Sequence, residues 1–418
     1  MSNIYSTKAT ISKSDVKFGT SGARGLVSDL SPEVCISFTL GFINSMKGKY
    51  SFERVAVGID NRPSSSKIAE VICNALVNAG IEPVYCGGLP TPALAYWSIQ
   101  NRLPSIMVTG SHIPFDRNGL KFYNPDGEIS KNDEKEICSI DIEFSILNSK
   151  KNFPLNKGPE IEYIKRFTDL FDKNTLAGKR VGIYEHSSSG RDIYKFIFEE
   201  LGATAISLER TDTFVPIDTE AVSKIDQQKA IEWSNTYELD MIFSTDGDGD
   251  RPLVADENGI WLKGDILGLV VSKILCVDAI ATPVSCNSVI ESSGFVKNVT
   301  RTRIGSPYVI DAANALIKRF NKVVGFEANG GFLLFTDLKI NNVDLKALPT
   351  RDAVLPALIL MASLRSRKIS DALLGMPNRY TFSDRLKNFP KVASDEVISK
   401  AITAPLDLLN EIGISGNI

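Results

Sequence analysis

The sequence lacks three features that would each place it in a special class. No apolar run approaches the roughly 18–20 residues of a transmembrane helix, and the polar start, residues 1–14, lacks the apolar core of a signal peptide. The net charge is only −3, so neither nucleic acid nor an anionic membrane is expected as a partner. The six cysteines form no CxxC pair, which favours reduced core residues over a disulfide framework. We therefore predict a cytoplasmic protein with no membrane or nucleic-acid partner, and the sequence gives no indication of its oligomeric state.

What the sequence does contain is a short acidic loop. Residues 244–251 read Ser-Thr-Asp-Gly-Asp-Gly-Asp-Arg, so Asp246, Asp248 and Asp250 alternate with glycines. Side chains two apart in an extended backbone point the same way, and the three carboxylates can therefore converge on one point. Ligand sets made only of oxygen favour Mg²⁺, Mn²⁺ or Ca²⁺. The apolar run 240–243 predicts a buried strand before the loop, and α/β proteins place their chemistry at such strand ends.

This loop has two alternative interpretations. Its aspartates and Glu257 match the ligand spacing of a calcium-binding EF-hand loop. That loop needs glycine at the position where this chain has Arg251, and a strand rather than a helix precedes. The other alternative is a solvated acidic turn. An arginine directly after three converging carboxylates favours a phosphate held between a metal ion and a guanidinium.

The N-terminal loop, residues 18–25, is suited to an anion. Residues 18–25 read Phe-Gly-Thr-Ser-Gly-Ala-Arg-Gly. The glycines let backbone N–H groups approach an anion, the hydroxyls of Thr20 and Ser21 lie beside them, and Arg24 supplies a neutralising charge. A flexible turn with a surface arginine is the alternative.

A serine follows another predicted strand. Residues 108–114 read Val-Thr-Gly-Ser-His-Ile-Pro, which places Ser111 beside His112, one of only two histidines. No G-x-S-x-G elbow is present, and nearby Arg117 and Lys121 suit a phosphate better than an acyl group. The alternatives are a serine that only caps a helix and a lysine that is an ordinary strand residue.

A third loop carries groups suited to sugar hydroxyls. In residues 325–331, Gly-Phe-Glu-Ala-Asn-Gly-Gly, Glu327 can accept hydrogen bonds while Asn329 can both donate and accept them. A hairpin turn with polar residues is the alternative. His186, in a serine-rich turn, is interpreted as a local hydrogen-bonding residue.

The chain repeats one supersecondary pattern. A strand, a polar turn, a helix, a glycine and a second strand follow one another twice at similar spacing, and a third α/β segment comes after them. This repetition predicts parallel sheets in domains of one topology arranged in series. The predicted elements are strands 55–59 and 81–85 around a helix at 68–76, strands 180–184 and 205–208 around a helix at 193–201, and the segment 265–335.

Together these loops suit phosphoryl transfer to and from a sugar phosphate. They also resemble, in order, the motifs of the α-D-phosphohexomutase family, in its phosphomannomutase/phosphoglucomutase branch. The resemblance covers residues 15–385 and rests on four segments: 18–25, 109–114, 245–251 and 325–331.

The resemblance implies a multi-domain α/β architecture with three similar α/β domains around a cleft and a partial fourth domain. The predicted ranges are 1–150, 151–255, 256–368 and 369–418. It also implies that Ser111 is a phosphoserine that donates its phosphoryl group to the free hydroxyl of a hexose 1- or 6-phosphate. The product of that step is a bound hexose 1,6-bisphosphate, which also serves as activator and returns its other phosphate to the serine.

The resemblance further assigns roles to the loop residues. One Mg²⁺ would be held by Asp246, Asp248 and Asp250 together with the phosphoserine oxygen of Ser111. The other assignments are Arg24 and Arg251 on the transferring phosphate, Lys121 as candidate general acid or base, His112 shaping the serine loop, Glu327 and Asn329 on the sugar O3 and O4 hydroxyls, and Thr20 and Ser21 in substrate binding.

Two departures from the family pattern shape our expectations. Some branches carry a histidine where this chain has Gly331, so proton transfer would rest on Lys121 or on water. The family's last domain has an Arg-x-Ser-Gly-x-x-Pro phosphate loop, whereas residues 379–385 resemble only that domain's first strand and residues 414–418 lack the loop's arginine and proline. We therefore expect a truncated fourth domain, weak substrate binding, and exposed apolar side chains within 395–412.

The reaction could also have been lost or altered. A degenerate paralogue that binds sugar phosphate without turnover and a slow sugar-phosphate phosphatase are the alternatives. The O3 and O4 configuration is common to mannose and glucose, so the sequence does not distinguish the two sugars.

Overall fold

The computed structural model describes residues 3–146, 151–364, 367–384 and 389–413. It contains two compact units, a large one from Met1 to Tyr380 and a small one from Thr381 to Ile418. Within the described ranges, no helix is both long enough and apolar enough to cross a bilayer. Of the residues at the predicted range boundaries, residue 150 lies outside the described part of the chain.

The first part of the large unit is built on a seven-stranded sheet in the order β2-β3-β7-β6-β4-β5, with β8 beside β7. Its elements are β1 (Ile4–Ser6), α1 (Thr7–Lys13), β2 (Lys17–Phe18), β3 (Ala23–Leu26), α2 (Pro32–Lys47), β4 (Arg54–Ile59), α3 (Ser65–Asn78), β5 (Glu82–Gly88), α4 (Thr91–Gln100), β6 (Ser105–Val108), β7 (Arg117–Asn124), β8 (Gly127–Glu128), α5 (Lys131–Ser139) and β9 (Glu143–Ser145).

Two further sheets follow, one of four strands and one of five, with a small two-stranded ribbon. The next elements are α6 (Gly158–Thr168), β10 (Arg180–Tyr184), α7 (Arg191–Glu200), β11 (Thr204–Leu208), α8 (Lys224–Tyr237), β12 (Met241–Thr245) and β13 (Pro252–Ala255). The last elements of the large unit are α9 (Gly264–Ile274), β14 (Ala279–Pro283), α10 (Val289–Ser292), β15 (Asn298–Thr302), α11 (Ser306–Leu316), β16 (Val323–Phe326), β17 (Phe332–Leu334), β18 (Leu338–Ile340), β19 (Val343–Leu345), β20 (Leu348–Arg351), α12 (Val354–Leu364) and α13 (Ile369–Ala372).

The three large sheets share one four-strand arrangement. It is β5-β4-β6-β7 in the first sheet, β11-β10-β12-β13 in the second and β15-β14-β16-β17 in the third. In each, three strands run parallel and the fourth pairs antiparallel to the third. This repetition confirms the predicted α/β fold class and the internal repeat.

Local sequence explains why the repeat folds this way. In α3 the apolar side chains of Ile68, Ile72 and Leu76 recur at helical spacing and are at most 5% exposed. Gly80 then takes a left-handed φ of +74°, which ends the helix and turns the chain into β5. Gly202, with φ +93°, does the same between α7 and β11.

The core of the large unit runs through all three sheets. Buried side chains from α4, α6, α7, α9 and α12 form one continuous apolar cluster that includes Trp97, Tyr163, Phe198, Val271 and Leu358. This shared packing holds the sheets, and therefore the loops at their strand ends, in fixed register.

The small unit contains α14 (Lys391–Thr403) and α15 (Pro405–Glu411). The predicted exposure of its apolar side chains is confirmed for Val397, Ile398, Ile402 and Leu406, which are all at least half exposed, whereas Leu409 of the same predicted set is only partly exposed. The unit begins later than the predicted start of the fourth range at residue 369. The strand predicted for 379–385 is wrong: residues 379–384 form no strand, because no neighbouring strand pairs with them. Residue 385 and the terminal residues 414–418 lie outside the described part of the chain.

Candidate active site

Three of the four loops singled out in the sequence occupy equivalent places in the three sheets. Each connects the third parallel strand to its antiparallel neighbour: the serine loop, residues 109–116, joins β6 to β7; the acidic loop, 246–251, joins β12 to β13; and the glycine-rich loop, 327–331, joins β16 to β17. Parallel strands of α/β proteins end at the edge where ligands bind. The repeated topology therefore provides three loops of equivalent position for one site.

The acidic loop gathers three buried carboxylates. Asp246, Asp248 and Asp250 are at most 1% exposed, and each offers one oxygen within 4.8 Å of the others. Gly249 has a φ of +72°, which a side chain would disfavour, and this allows the loop to turn between them. Oxygens Oδ1 of Asp248 and Asp250 are buried without a hydrogen-bond partner. Unpaired buried carboxylate oxygens that converge are a fitting ligand set for a hard divalent cation. The strands on both sides of the loop rule out an EF-hand, whose loop joins two helices.

Lys121 supplies the nearest compensating charge. Its Nζ donates to Oδ2 of Asp248 and to Oδ2 of Asp250, both at 2.6 Å, and its side chain is only 3% exposed. Burial alone would raise the pKa of Asp248, but Lys121 outweighs it and holds that pKa below its usual range. Burial and the two neighbouring carboxylates raise the pKa of Asp246 well above its usual range. Lys121 is therefore part of the carboxylate cluster rather than an ordinary strand lysine.

Ser111 lies against the same cluster. Its buried Oγ donates to Oδ2 of Asp246 at 2.6 Å. The residue has a φ of +55°, a left-handed conformation that is strained for a residue with a side chain. Its backbone N–H donates to Oγ1 of Thr109 at 2.8 Å, which helps to hold this geometry. The serine thus serves as the strained tip of its loop rather than as a helix cap.

A buried arginine that the sequence analysis did not single out fixes the serine loop. Arg62 follows β4, and its guanidinium pairs with Asp60 at 3.1 Å and stacks 4.1 Å from the centre of the Phe214 ring. Its strand-end position, next to Asp60, is the signal that could have identified it. The guanidinium donates to four backbone carbonyls of the loop region, those of Ser111, Ile113, Pro114 and Arg117, at 2.6–2.9 Å.

A second residue missed from the sequence is Thr91, at the start of α4. Its Oγ1 donates to Oδ2 of Asp248 at 2.6 Å, and its backbone N–H donates to the carbonyl of the same residue at 2.8 Å. Nothing local in the sequence marks this threonine, because its role depends on the contact between the first and second sheets.

His112 and Arg251 form a pair beside the serine. Nη1 of Arg251 lies 2.8 Å from Nδ1 of His112, so this nitrogen accepts and the imidazole is neutral. Burial, followed by the charges of Arg251 and Arg24, lowers the pKa of His112 to about 3. The Oγ of Ser111 is 3.5 Å from the same nitrogen. His112 therefore orients Arg251 towards the serine and stays uncharged.

Two guanidinium groups leave buried donors unused near the serine. The Nε atoms of Arg24 and Arg251 are buried and have no hydrogen-bond partner. Arg24 lies on β3, paired in register with Gly119 of β7, two residues before Lys121. Burial and the neighbouring charge of Arg251 lower the pKa of Arg24 to about 10. Unpaired guanidinium donors are what an incoming phosphate would satisfy.

Of the two hydroxyl residues of the N-terminal loop, Ser21 is buried and Thr20 is exposed. Both line a narrow pocket with Lys121 and Glu128. The lining of this pocket includes Lys121 but none of the three aspartates.

The glycine-rich loop reaches the site through another arginine. Glu327 is 3% exposed, and its Oε2 accepts from Nε of Arg351 at 2.6 Å. Nη1 of Arg351 lies 3.5 Å from Oδ2 of Asp250. Asn329 is half-buried and its Oδ1 accepts from the backbone N–H of Gly331 at 3.0 Å, so part of the amide serves the hairpin itself. Arg351 has no local sequence signal that would have identified it.

His186 is a hydrogen-bonding residue, as predicted, but its partner is not local in the chain. Its Nε2 lies 2.9 Å from the carbonyl of Thr245, and the ring is 1% exposed. Burial lowers the pKa of His186 to about 4, and the contact with the Thr245 carbonyl offsets only part of this effect.

This buried histidine should make the fold sensitive to acid. The folded pKa of about 4 lies below the ordinary value, so the unfolded chain binds more protons between pH 6.5 and 4, and stability falls as the pH falls through that window. For one histidine the loss at pH 5 is about 2 kcal/mol. Urea unfolding at pH 7 and pH 5 should show a smaller pH-dependent loss in His186→Gln than in the native chain. Equal losses in the two proteins would contradict this prediction.

Comparisons with known proteins agree with the geometry. The sequence matches the phosphoglucomutase/phosphomannomutase α/β/α domain I over residues 15–142 and domain II over residues 161–259. It is 54% identical over 415 residues to a phosphomannomutase of Salmonella muenchen, covering 99% of this chain and 87% of that protein.

Solved structures share the fold. A phosphoglucomutase/phosphomannomutase family protein from Burkholderia thailandensis superposes with a TM-score of 0.70 at 18% identity, covering 86% of this chain and 79% of that one. An N-acetylphosphoglucosamine mutase from Aspergillus fumigatus, solved with GlcNAc-6P and magnesium, superposes with a TM-score of 0.55 at 14% identity, covering 94% and 90%. The solved structures confirm the predicted fold, and the Salmonella muenchen relative at 54% identity confirms the predicted enzyme class, an isomerase acting by phosphoryl transfer. The chain therefore belongs to the phosphoglucomutase/phosphomannomutase family.

Proposed function

We propose that this chain interconverts hexose 1-phosphates and hexose 6-phosphates, with Ser111 carrying the phosphoryl group between turnovers. The carrying observation is the convergence of the Ser111 Oγ, 2.6 Å from Asp246, on a cluster that still has unpaired buried carboxylate oxygens and unpaired guanidinium donors. Such a cluster offers places for a cation and for an anion on either side of one hydroxyl. Phosphoryl transfer needs that combination.

The carboxylate cluster suits one Mg²⁺. Asp246, Asp248 and Asp250 would hold it together with a phosphoserine oxygen of Ser111, since the set is made only of oxygens and lies within 4.8 Å. When bound, the cation would neutralise the charge of about −1.5 to −2 on the phosphoserine. The rest of the chemistry falls to side chains of the chain itself.

The arginines are suited to bind the phosphoryl group during transfer. The Nε atoms of Arg24 and Arg251 are buried without a hydrogen-bond partner, although that of Arg251 lies 3.7 Å from Oδ1 of Asp250, and the neutral His112 contacts Arg251 without adding a charge. Fixed donors in a buried site stabilise developing charge more than donors in water do. Lys121, whose Nζ lies within the same cluster, is the proposed general acid or base for the sugar hydroxyl.

The proposed reaction has two balanced transfers. The phosphoserine gives its phosphoryl group to the free hydroxyl of the hexose monophosphate: the P–O bond to Ser111 breaks, a P–O bond to the sugar oxygen forms, and the hydroxyl proton passes through Lys121 to the serine oxygen. A hexose 1,6-bisphosphate and a free Ser111 hydroxyl result. The bisphosphate then turns, and its other phosphoryl group returns to Ser111. A hexose 1,6-bisphosphate added from solution would phosphorylate the serine of an inactive chain and so act as activator.

Sugar recognition is assigned to the glycine-rich loop. Glu327 and Asn329 are proposed to bind the O3 and O4 hydroxyls, with Thr20 and Ser21 at the mouth of the site. Mannose and glucose share the configuration of these two hydroxyls, so we propose that both phosphates are substrates. We also retain the division into ranges 1–150, 151–255, 256–368 and 369–418, because each of the first three contains one of the large sheets.

The first test is an assay of mannose 1-phosphate and of glucose 1-phosphate in the presence of Mg²⁺ and a catalytic amount of hexose 1,6-bisphosphate. We expect formation of the 6-phosphates with little release of inorganic phosphate. Release of phosphate without isomer would show a sugar-phosphate phosphatase instead. Binding of both sugars without any product would show a binding protein, and either result would contradict the proposal.

A further inference from the structure

Arg351 spans the gap between the glycine-rich loop and the acidic loop. Its Nε donates to Oε2 of Glu327 at 2.6 Å, and its Nη1 lies 3.5 Å from Oδ2 of Asp250. The side chains of Arg351 and Glu327 are only 3% and 4% exposed. A buried ion pair of this kind has few other partners to move to, so it restricts both side chains to one arrangement.

The path of Arg351 depends on a missing side chain. A Cβ atom built on Gly331 would lie 2.5 Å from Cδ of Arg351, 2.8 Å from Cγ and 3.0 Å from Nε. These distances are too short, so any residue larger than glycine at 331 would push the arginine aside. The neighbouring Gly330 needs its positive φ of +91°, whereas Gly331 has an ordinary backbone conformation. Alanine at 331 is therefore a steric change without backbone strain.

The ion pair determines what Glu327 can offer to a ligand. Arg351 takes one acceptor position of Oε2, which leaves the second position of that oxygen and Oε1 for a ligand hydroxyl. A glutamate that is free to rotate would lose rotamer entropy on binding, and one that is already held loses less. We propose that Arg351 is a positioning residue that fixes Glu327 and so sets how strongly the site discriminates sugars by their ring hydroxyls. This inference rests on the proposed function, in which Glu327 binds the O3 or O4 hydroxyl.

The test compares the native chain with Arg351→Met, Gly331→Ala and Glu327→Gln. Each is assayed with mannose 1-phosphate and with its 3-deoxy and 4-deoxy analogues, and kcat and KM are measured separately. We expect Arg351→Met and Gly331→Ala to lower kcat/KM for the natural substrate by about 10- to 100-fold, chiefly through KM. The analogue that lacks the recognised hydroxyl should be affected much less, so that discrimination is lost as it is in Glu327→Gln. The double variant Arg351→Met/Glu327→Gln should have a kcat/KM no lower than that of Arg351→Met alone, because both changes remove the same interaction.

Arg166 provides the matched control. It is also a buried arginine, 1% exposed at its side chain, and its Nε lies 3.5 Å from Oδ2 of Asp352, outside the cluster. Arg166→Met should cost stability but should leave discrimination between the sugar and its deoxy analogues unchanged. If Arg351→Met does not fold, Gly331→Ala decides alone, because it retains every polar group.

The outcomes separate this inference from the function on which it rests. Native turnover with discrimination that persists in both Arg351→Met and Gly331→Ala would overturn the role of Arg351 only. Discrimination lost equally in Arg166→Met would overturn it as well, since a general loss of packing would then explain the effect. No isomer formed by the native chain would overturn the proposed function and the inference together.

Discussion

Replacing Ser111 by alanine should reduce mutase turnover by about 10⁴-fold or more, because the group that accepts and donates the phosphoryl group is removed. The hydroxyl lies 2.6 Å from Asp246, and no other hydroxyl contacts that carboxylate among the described side chains. Incubation of the native chain with a hexose 1,6-bisphosphate should add one phosphoryl group by intact mass, and Ser111→Ala should add none. The fold should survive, because alanine removes one oxygen only.

Ser105 is a suitable control for this experiment. It lies in β6, close to the serine loop, and its buried Oγ has no hydrogen-bond partner. Ser105→Ala should therefore keep both turnover and phosphorylation. A phosphorylated Ser111→Ala chain, or one that still isomerises the sugar phosphate, would show that another residue carries the phosphoryl group.

Removing the amine of Lys121 should weaken the fold and the reaction at once. Lys121→Met leaves Asp248 and Asp250 buried without their ammonium partner, which both now contact at 2.6 Å. Breaking a buried ion pair from one side costs about 3–5 kcal/mol, so the free energy of unfolding in EDTA should fall by an amount of that order. Turnover should fall by about 10²- to 10⁴-fold if the lysine transfers the proton.

Mg²⁺ should restore the stability of Lys121→Met but should not restore its turnover. A cation that binds the folded carboxylates stabilises the fold by mass action, and it no longer has to compete with the ammonium for Asp248 and Asp250. Calorimetry should therefore show tighter Mg²⁺ binding to Lys121→Met than to the native chain, and urea unfolding should show recovery of stability in Mg²⁺. Lys179, which pairs with Asp240 away from the site, is the control, and Lys179→Met should bind Mg²⁺ as the native chain does. Unchanged Mg²⁺ affinity in Lys121→Met would contradict the prediction.

The sequence was sufficient where a function depends on residues close together in the chain. The alternation in the acidic loop, its place after a strand, and the repeated order of strands and helices all follow from local spacing, and the fold bears them out. Arg62 and Arg351 could not be found in this way. Each acts on a loop that is distant in the chain, and only the packing of separate strands brings the guanidinium to it.

Asn329 and residues 379–384 show a different limit of prediction from sequence. Asn329 was expected to face a sugar, yet its Oδ1 accepts from the loop's own backbone, a use that the sequence leaves open because turn residues and binding residues have the same chemistry. Residues 379–384 have the aromatic and β-branched composition of a strand, but a strand also needs a neighbour to pair with, and composition cannot supply one.

The repeated strand order has a consequence for how this site can be altered. The serine, acidic and glycine-rich loops each connect equivalent strands of one repeated module, and they differ in both length and sequence. A change of nucleophile, of charge or of sugar contact can therefore be made within one short loop between two strands, while the sheet keeps its own hydrogen bonds. Exchange of the five residues 327–331 for another hairpin of equal length would replace one of three equivalent loops on a repeated scaffold.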